Sequence, residues 1–279
     1  MLNYSFIHIP SIGPVTERKI WNNGIKTMDD FTKSAPGFFS TNKKNTILDF
    51  ISLSKKHLDK QNPLFFYEHL PPSQQWRIFK NFQDKIAYLD IETNGVNFGG
   101  IITTIALYDG KSIQYYVNGL NLHDFKKDIY KYEIIITYNG KTFDIPYIER
   151  YFDIGLTQTH LDLRFILHSL GFSGGLKACE KQWGIGRTGS LGSIDGFIAV
   201  LLWNGYQKTG NQKYLNTLLA YNIEDVLSLE HLMISAYNMK LGEVPFSMDK
   251  IDIPVPPENP FKVDEGIISK IQGQFCRYE

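Results

Sequence analysis

The sequence predicts an α/β fold: a mixed sheet, made of an antiparallel three-strand meander plus parallel strands, flanked by helices, with a small helical region at the N-terminal end. Three observations predict it. The apolar, β-branched runs 86–92, 101–110 and 112–117 follow one another closely, and the last two join through Asp109-Gly110, a hairpin dipeptide. EIIITYNG (133–140) is apolar without alternation, as suits a strand buried on both faces. Beyond it, helical patterns dominate, with one short strand at 159–163.

Taken in order, residues 1–35 are short and helical, with a Gly13-Pro14 turn. Residues 40–60 predict one helix, apolar at Ile47, Leu48, Ile51 and Leu58 and polar at Lys55, Lys56 and Lys60. The stretch 61–79 carries three prolines and reads as a connector with packed aromatics. The main domain begins near Lys85 with the strand IAYLDIE. Helices are expected at 121–131, 146–152, 175–183, 194–207 and 213–237. Residues 253–260 are proline-rich and extended, and 264–272 form a last helix. The expected domains are 1–35, a helical and proline-containing connector at 36–83, the α/β domain at 84–240 and a C-terminal extension at 241–279.

A hydrophobic share of 43% in 279 residues supports a sizeable core and excludes disordered and fibrous classes. No apolar run reaches the roughly 18 residues of a membrane span, so no membrane partner is expected. The start, MLNYSFIHIP, lacks a basic n-region and cleavage site. Two cysteines, Cys179 and Cys276, cannot build a disulfide framework or a four-ligand zinc site, so the expected setting is cytoplasmic. The net charge is zero, but residues 1–80 hold 11 basic and 6 acidic residues and the remainder 18 and 23. A basic front beside an acidic body fits a polyanion-binding arm near an acidic site; charge alone fits a solvated face as well.

Asp90 and Glu92 lie two apart on one strand and therefore share a face. Two like charges on an apolar strand repel, and burial sharpens the conflict. A hard cation such as Mg²⁺ or Mn²⁺ resolves it; so does a basic partner for Asp90 with Glu92 at the strand end. Asp144 follows a buried strand and precedes Pro146, a pattern that alone suits a helix N-cap. Tyr221 and Asp225 stand four apart on one helix face, and apolar Leu218, Ile223, Val226 and Leu227 bury most of that helix. Alone, this pair fits a buried hydrogen bond as readily as a metal ligand beside a phenol.

The order of these motifs says more than each does alone. Asp-x-Glu on the first strand, Asp after a later strand and Tyr-x-x-x-Asp on a late helix resemble the DEDD exonuclease superfamily in its tyrosine subclass, DEDDy, over about residues 84–237. Ala220, not His, stands five before Asp225, which excludes the histidine subclass. AYLDIETNG, TYNGKTFDIPYIE, HLDLRFILHSLGFSGGLKACEKQWGI and YNIEDVLSL, with EHLPPSQQWRIF ahead of them, resemble the YprB-type family of ribonuclease H-like proteins. The resemblance implies a ribonuclease H-like sheet. It implies a metal-dependent nuclease that removes nucleotides 3′→5′ from DNA or RNA. Asp90, Glu92, Asp144 and Asp225 would ligate two divalent ions, and Tyr221 would position the attacking water. Such ions clamp a phosphodiester and offset the repulsion of four acids. A catalytically inactive nucleic-acid-binding module and a structure-specific endonuclease are the alternatives.

IPSIGPVTERKIWNNGIKTMDDF (9–31) looks like a helix–hairpin–helix motif, whose hairpin amides meet a nucleic-acid phosphate without reading bases. Gly13, Val15 and Thr16 are the expected contacts, with Lys19, Lys26, Lys43 and Lys44 as counter-charge. Ser11 stands where the pattern has its first Gly, and Val15 where a basic residue is common, which leaves packing or partner docking as the other role. Lys177, in the glycine-rich turn 171–180, is a candidate substrate contact. Asp162 reads as a strand-end acid paired with Arg164 or a backbone amide, and Trp76, Trp183 and Trp203 as core.

Overall fold

The structure is a computed structural model that describes residues 1–95, 99–187 and 189–275; Cys276 lies outside the described residues. The chain divides into two units, Met1–Lys85 with Ile234–Asp252, and Ile86–Met233 with Ile253–Glu279.

In the first unit a 3₁₀ turn, Leu2–Tyr4, precedes turns over residues 5–13. Helix α1 (Pro14–Asn22) starts at the N-cap Gly13 with Pro14 in its first position, where a missing amide costs nothing. It buries Glu17, Ile20 and Trp21, spaced three and four apart, and stops at Gly24, whose φ of +82° suits a glycine. Thr27 and Asp30 form a reciprocal capping box on α2 (Met28–Lys33). Ser40 caps α3 (Thr41–Asp59), which buries Ile47 and Ile51. These side chains join Phe6, Ile12 and Phe31 in one core.

The stretch expected as a connector is largely helical. Asn62 caps α4 (Pro63–His69), and 3₁₀ turns follow over Pro72–Lys85. The prolines sit at helix starts, where they are tolerated, and burial of Phe65, Phe66, Trp76 and Phe79 orders the segment. A buried ion pair ties the start of α1 to the 3₁₀ segment and to the turns before the helix. Arg77 donates from Nη1 to Glu17 Oε1 at 2.7 Å and from Nη2 to Oε2 at 2.9 Å. Glu17 Oε1 also accepts from the Phe6 and Ile7 amides at 2.7 and 3.0 Å.

In the second unit, the described residues form a mixed five-stranded sheet in the order β3-β2-β1-β4-β5, with β1 Ile86–Thr93, β2 Ile102–Tyr108, β3 Ile113–Val117, β4 Ile134–Thr137 and β5 Thr159–Asp162. β1 pairs antiparallel with β2 and β2 with β3; β1 pairs parallel with β4 and β4 with β5. At the hairpin, Gly110 takes φ +83° and Asp109 Oδ1 accepts from the Lys111 and Ser112 amides. Ala87, Leu89 and Ile91 project from one face of β1 into a core with Phe125 of α5 (Phe125–Asp128) and Tyr147 and Ile148 of α6 (Asp144–Phe152).

The chain continues through α7 (Leu163–His168), α8 (Leu176–Gln182), α9 (Gly196–Thr209), α10 (Gln212–Lys240) and α11 (Glu265–Phe275). Trp203 of α9, Leu218 of α10 and Ile268 of α11 pack together with Val117. α10 covers the other face of β1: Asn222 Nδ2 donates to the Asp90 carboxylate at 2.7 Å, and Thr104 Oγ1 donates to Asn222 Oδ1 at 3.0 Å. This is the mixed, helix-flanked architecture the sequence predicts. Among the described residues, no helix is long and apolar enough to cross a membrane.

Replacing Arg77 with Met leaves the Glu17 carboxylate buried without its partner, and should cost about 3–5 kcal/mol of stability. Urea unfolding followed through Trp21 and Trp76 fluorescence tests this. A loss below about 1 kcal/mol, the value of an exposed pair, would contradict it.

Candidate active site

The alternation of β1 sends Asp90 and Glu92 to the face opposite Leu89 and Ile91, across from Ala106 and Thr104 of β2. Asp90 keeps part of its surface open, and Glu92 is 9% exposed. Asn222 fixes the Asp90 carboxylate and bridges it to β2, so it sets how α10 sits on the sheet. Sequence reasoning passed over Asn222, although it stands between Tyr221 and Asp225 on a buried helix.

Asp225 lies one turn beyond Tyr221 on α10, and both are buried. One oxygen from each of Asp90, Glu92 and Asp225 lies within 4.8 Å of the others. The two ends of the motif series, 135 positions apart in sequence, therefore meet in space. Asp144 stands beside this trio. It is the first residue of α6, after the N-cap Phe143, and its Oδ1 accepts from the Ile91 amide at 3.2 Å. The N-cap is therefore Phe143, without a side-chain cap bond, and not Asp144 as the pattern suggested; Asp144 is the first helical residue, and its carboxylate bonds the β1 backbone instead.

The loop that delivers Asp144 is tightly held. Asp162 accepts from the amides of Asn139, Lys141 and Arg164 at 2.8, 3.0 and 3.0 Å. It thus bonds backbone amides, as one of its two expectations states, while the Arg164 guanidinium goes to Asn139 Oδ1. Gly140 is required by close approach: a Cβ there would lie 2.2 Å from Thr137 Oγ1.

Two cations face the acids, and one of them was not foreseen. Arg187 donates from Nε and Nη2 to the two oxygens of Glu180, both at 2.7 Å, and from Nη2 to Asp225 Oδ1. All three side chains are buried. Lys177, a predicted substrate contact, places its ammonium 4.7 Å from the centre of the Tyr221 ring, and the Arg187 guanidinium lies 5.7 Å from it. The seven-residue interval between Glu180 and Arg187 spans a helix end and a loop, so no helical or strand period relates them.

Burial, then the neighbouring acids, push the Asp90 and Glu92 carboxyls well above the usual range. Burial raises Asp144 to about 7, against the pull of the Ile91 amide. Burial raises Asp225 to about 6, with Arg187 opposing. The Tyr221 phenol is pushed up by burial and by Asp225, so it stays protonated and can donate a hydrogen bond. Burial opposes the Arg187 charge, but Glu180 and Asp225 outweigh it. Oxygen-only donors, close together, desolvated and mutually repelling, fit a hard divalent cation such as Mg²⁺ or Mn²⁺.

Of the expected N-terminal contacts, Gly13 caps α1, Val15 is 83% exposed and Thr16 is half-buried. Ser11 takes φ +66°, a left-handed conformation in which the pattern's usual glycine carries no strain. Trp76 and Trp203 are core residues as expected, while Trp183 is half-buried and stacks on Phe172.

Three comparisons with known proteins bear on identity. No curated protein matches the sequence. Among solved structures, the family B DNA polymerase from the hyperthermophilic archaeon Pyrobaculum calidifontis is similar at 16% identity and a TM-score of 0.40. That match covers 56% of this chain and 24% of the polymerase, so the chain spans less than a quarter of that protein's length. The profile of the RNase H superfamily matches residues 87–237, more than half of the chain, and that interval contains Asp90, Glu92, Asp144, Tyr221 and Asp225. The chain belongs to the RNase H superfamily.

Proposed function

We propose that the chain is a metal-dependent nuclease of the DEDDy type, a 3′→5′ exonuclease that hydrolyses phosphodiester bonds of DNA or RNA, and within its superfamily a YprB-type protein. The observation that carries this reading is the convergence of Asp90, Glu92 and Asp225, with Tyr221 one turn from Asp225. Membership of the RNase H superfamily supports nuclease chemistry.

Asp90, Glu92 and Asp225 would hold the cations, with Asp144 as a further ligand once its carboxylate turns from the Ile91 amide. Two divalent ions, Mg²⁺ or Mn²⁺, would supply activation of water and stabilisation of the leaving oxygen. Tyr221, kept protonated, donates its hydroxyl proton in a hydrogen bond that orients the attacking water. Asn222 holds Asp90 in place through the reaction. Lys177 and Arg187 add positive charge on the same side, which favours an anionic backbone. The front hairpin, with Gly13, Val15 and Thr16 at the start of α1, is the backbone-directed contact of this reading.

One observation favours the inactive binding module instead: Arg187 already occupies an oxygen of Asp225. The decisive experiment is hydrolysis of end-labelled single-stranded DNA and RNA with Mn²⁺. Trimming from the 3′ end is expected, and internal fragments would indicate an endonuclease. Asp225→Asn should abolish the activity with the fold intact. Tyr221→Phe should lower kcat by about 10²-fold with little change in affinity. Full activity in Asp225→Asn would overturn the assignment.

The raised carboxyls also set a pH dependence. Their ordinary pKa is about 4, whereas the folded chain holds Asp225 to about 6 and Asp144 to about 7. Between these limits the native state binds more protons than the unfolded state, so metal-free stability falls as pH rises from 4 to 7. Asp90→Asn removes one repelling charge and keeps an oxygen for Asn222. In EDTA at pH 8 it should raise stability by on the order of 1 kcal/mol. Thermal melts from pH 4 to 8 test both expectations. Stability that climbs through this window, or a destabilised Asp90→Asn, would contradict them.

A further inference from the structure

We propose that Arg187 is a phosphate-contacting residue of this site, held in position by Glu180, and that its Nη1 arm donates to a non-bridging oxygen of the bound phosphodiester. The proposal rests on the reading of the acid cluster as a phosphodiester site.

The argument follows from guanidinium geometry. Arginine offers five N–H donors in two forks: a side-on fork made by Nε and Nη2, and an end-on fork made by Nη2 and Nη1. In the side-on fork, both arms go to Glu180, at 2.7 Å each. In the end-on fork, the Nη2 arm goes to Asp225 Oδ1. The Nη1 arm belongs to the same end-on fork and therefore lies on the Asp225 side of the guanidinium. Nη1 is buried and has no hydrogen-bond partner among the described residues. The Arg187 side chain is only 5% exposed.

A purely structural arginine in this place would have both end-on arms filled, because a buried N–H without a partner is costly. Glu180 alone neutralises the guanidinium, and a second carboxylate leaves the trio one negative charge in excess. What remains is a half-filled fork, fixed from behind, beside the residues that would hold metal. Its shape suits a tetrahedral anion. A phosphoryl group presents several acceptor oxygens, and one of them can accept the single Nη1 arm that Glu180 and Asp225 leave open. Lysine cannot reproduce this, since its ammonium is a point charge without the fork.

The test compares wild type, Arg187→Lys, Arg187→Gln and Glu180→Gln. Calorimetry measures Mn²⁺ affinity, then affinity for a nucleoside 5′-monophosphate in the presence of Mn²⁺. Steady-state hydrolysis supplies kcat and KM. Arg187→Lys should fold and bind Mn²⁺ at least as tightly as wild type, because a competitor for Asp225 is weakened. Its affinity for the monophosphate should fall by about tenfold, and its kcat by about 10²-fold. Glu180→Gln should show the same pattern more weakly, as a positioning residue does. If Arg187→Gln fails to fold, Arg187→Lys decides. Unchanged monophosphate affinity in Arg187→Lys would overturn the proposal. So would loss of Mn²⁺ affinity in that variant, which marks Arg187 as support for Asp225 alone. An Asp225→Asn variant that hydrolyses nucleic acid as fast as wild type would sink the acid cluster as the catalytic site instead. The Arg187 assignment is judged on monophosphate binding, so the two failures are distinguishable.

Discussion

Like charges forced together out of water are the constraint from which this site follows. One oxygen from each of Asp90, Glu92 and Asp225 lies within 4.8 Å of the other two, and burial removes the solvent that would screen them. Protons, cations or hydrogen-bond donors must answer that repulsion. The described structure uses all three: raised pKa values, Arg187 and Lys177 on one side, and the Asn222 amide and Ile91 N–H on the others. None of these donors removes the excess charge. An apolar strand gains nothing in stability from such a group of acids, so its chemistry explains its presence better than its packing does.

The sheet supplies the precision. The period of two on β1 puts the acids on one face while Leu89 and Ile91 anchor the strand in a core on the other. The antiparallel neighbour β2 contributes Thr104, which fastens Asn222 and thereby α10. The parallel neighbour β4 leads into the loop held by Asp162 and Gly140, which delivers Asp144 at a helix start. The acids thus come from one strand, one helix start and the middle of a long helix, and each of these elements is tied down by groups that do not themselves join the cluster.

Much of this was legible because it is periodic. Asp90 and Glu92 follow from strand alternation, Tyr221 and Asp225 from the helical turn, and the meander from Asp109-Gly110. Asp144 was ambiguous alone and gained meaning only from its order among the other motifs. Arg187 and Glu180 were illegible for a physical reason. A loop contact has no period, and a bidentate pair between a helix end and a loop leaves no spacing rule to read. The same holds for Glu17 and Arg77, sixty positions apart, whose charges looked like part of a solvated basic face. Residues 61–79 looked like a connector because proline was weighed as a breaker, whereas Pro63 opens a helix.

The shared cation cage is the claim on which the functional account stands. Anomalous diffraction from crystals soaked in Mn²⁺ tests it most directly. The account predicts an anomalous peak among the carboxylate oxygens of Asp90, Glu92 and Asp225. Crystals without that peak at millimolar Mn²⁺, with the Arg187–Asp225 pair unbroken, would contradict it.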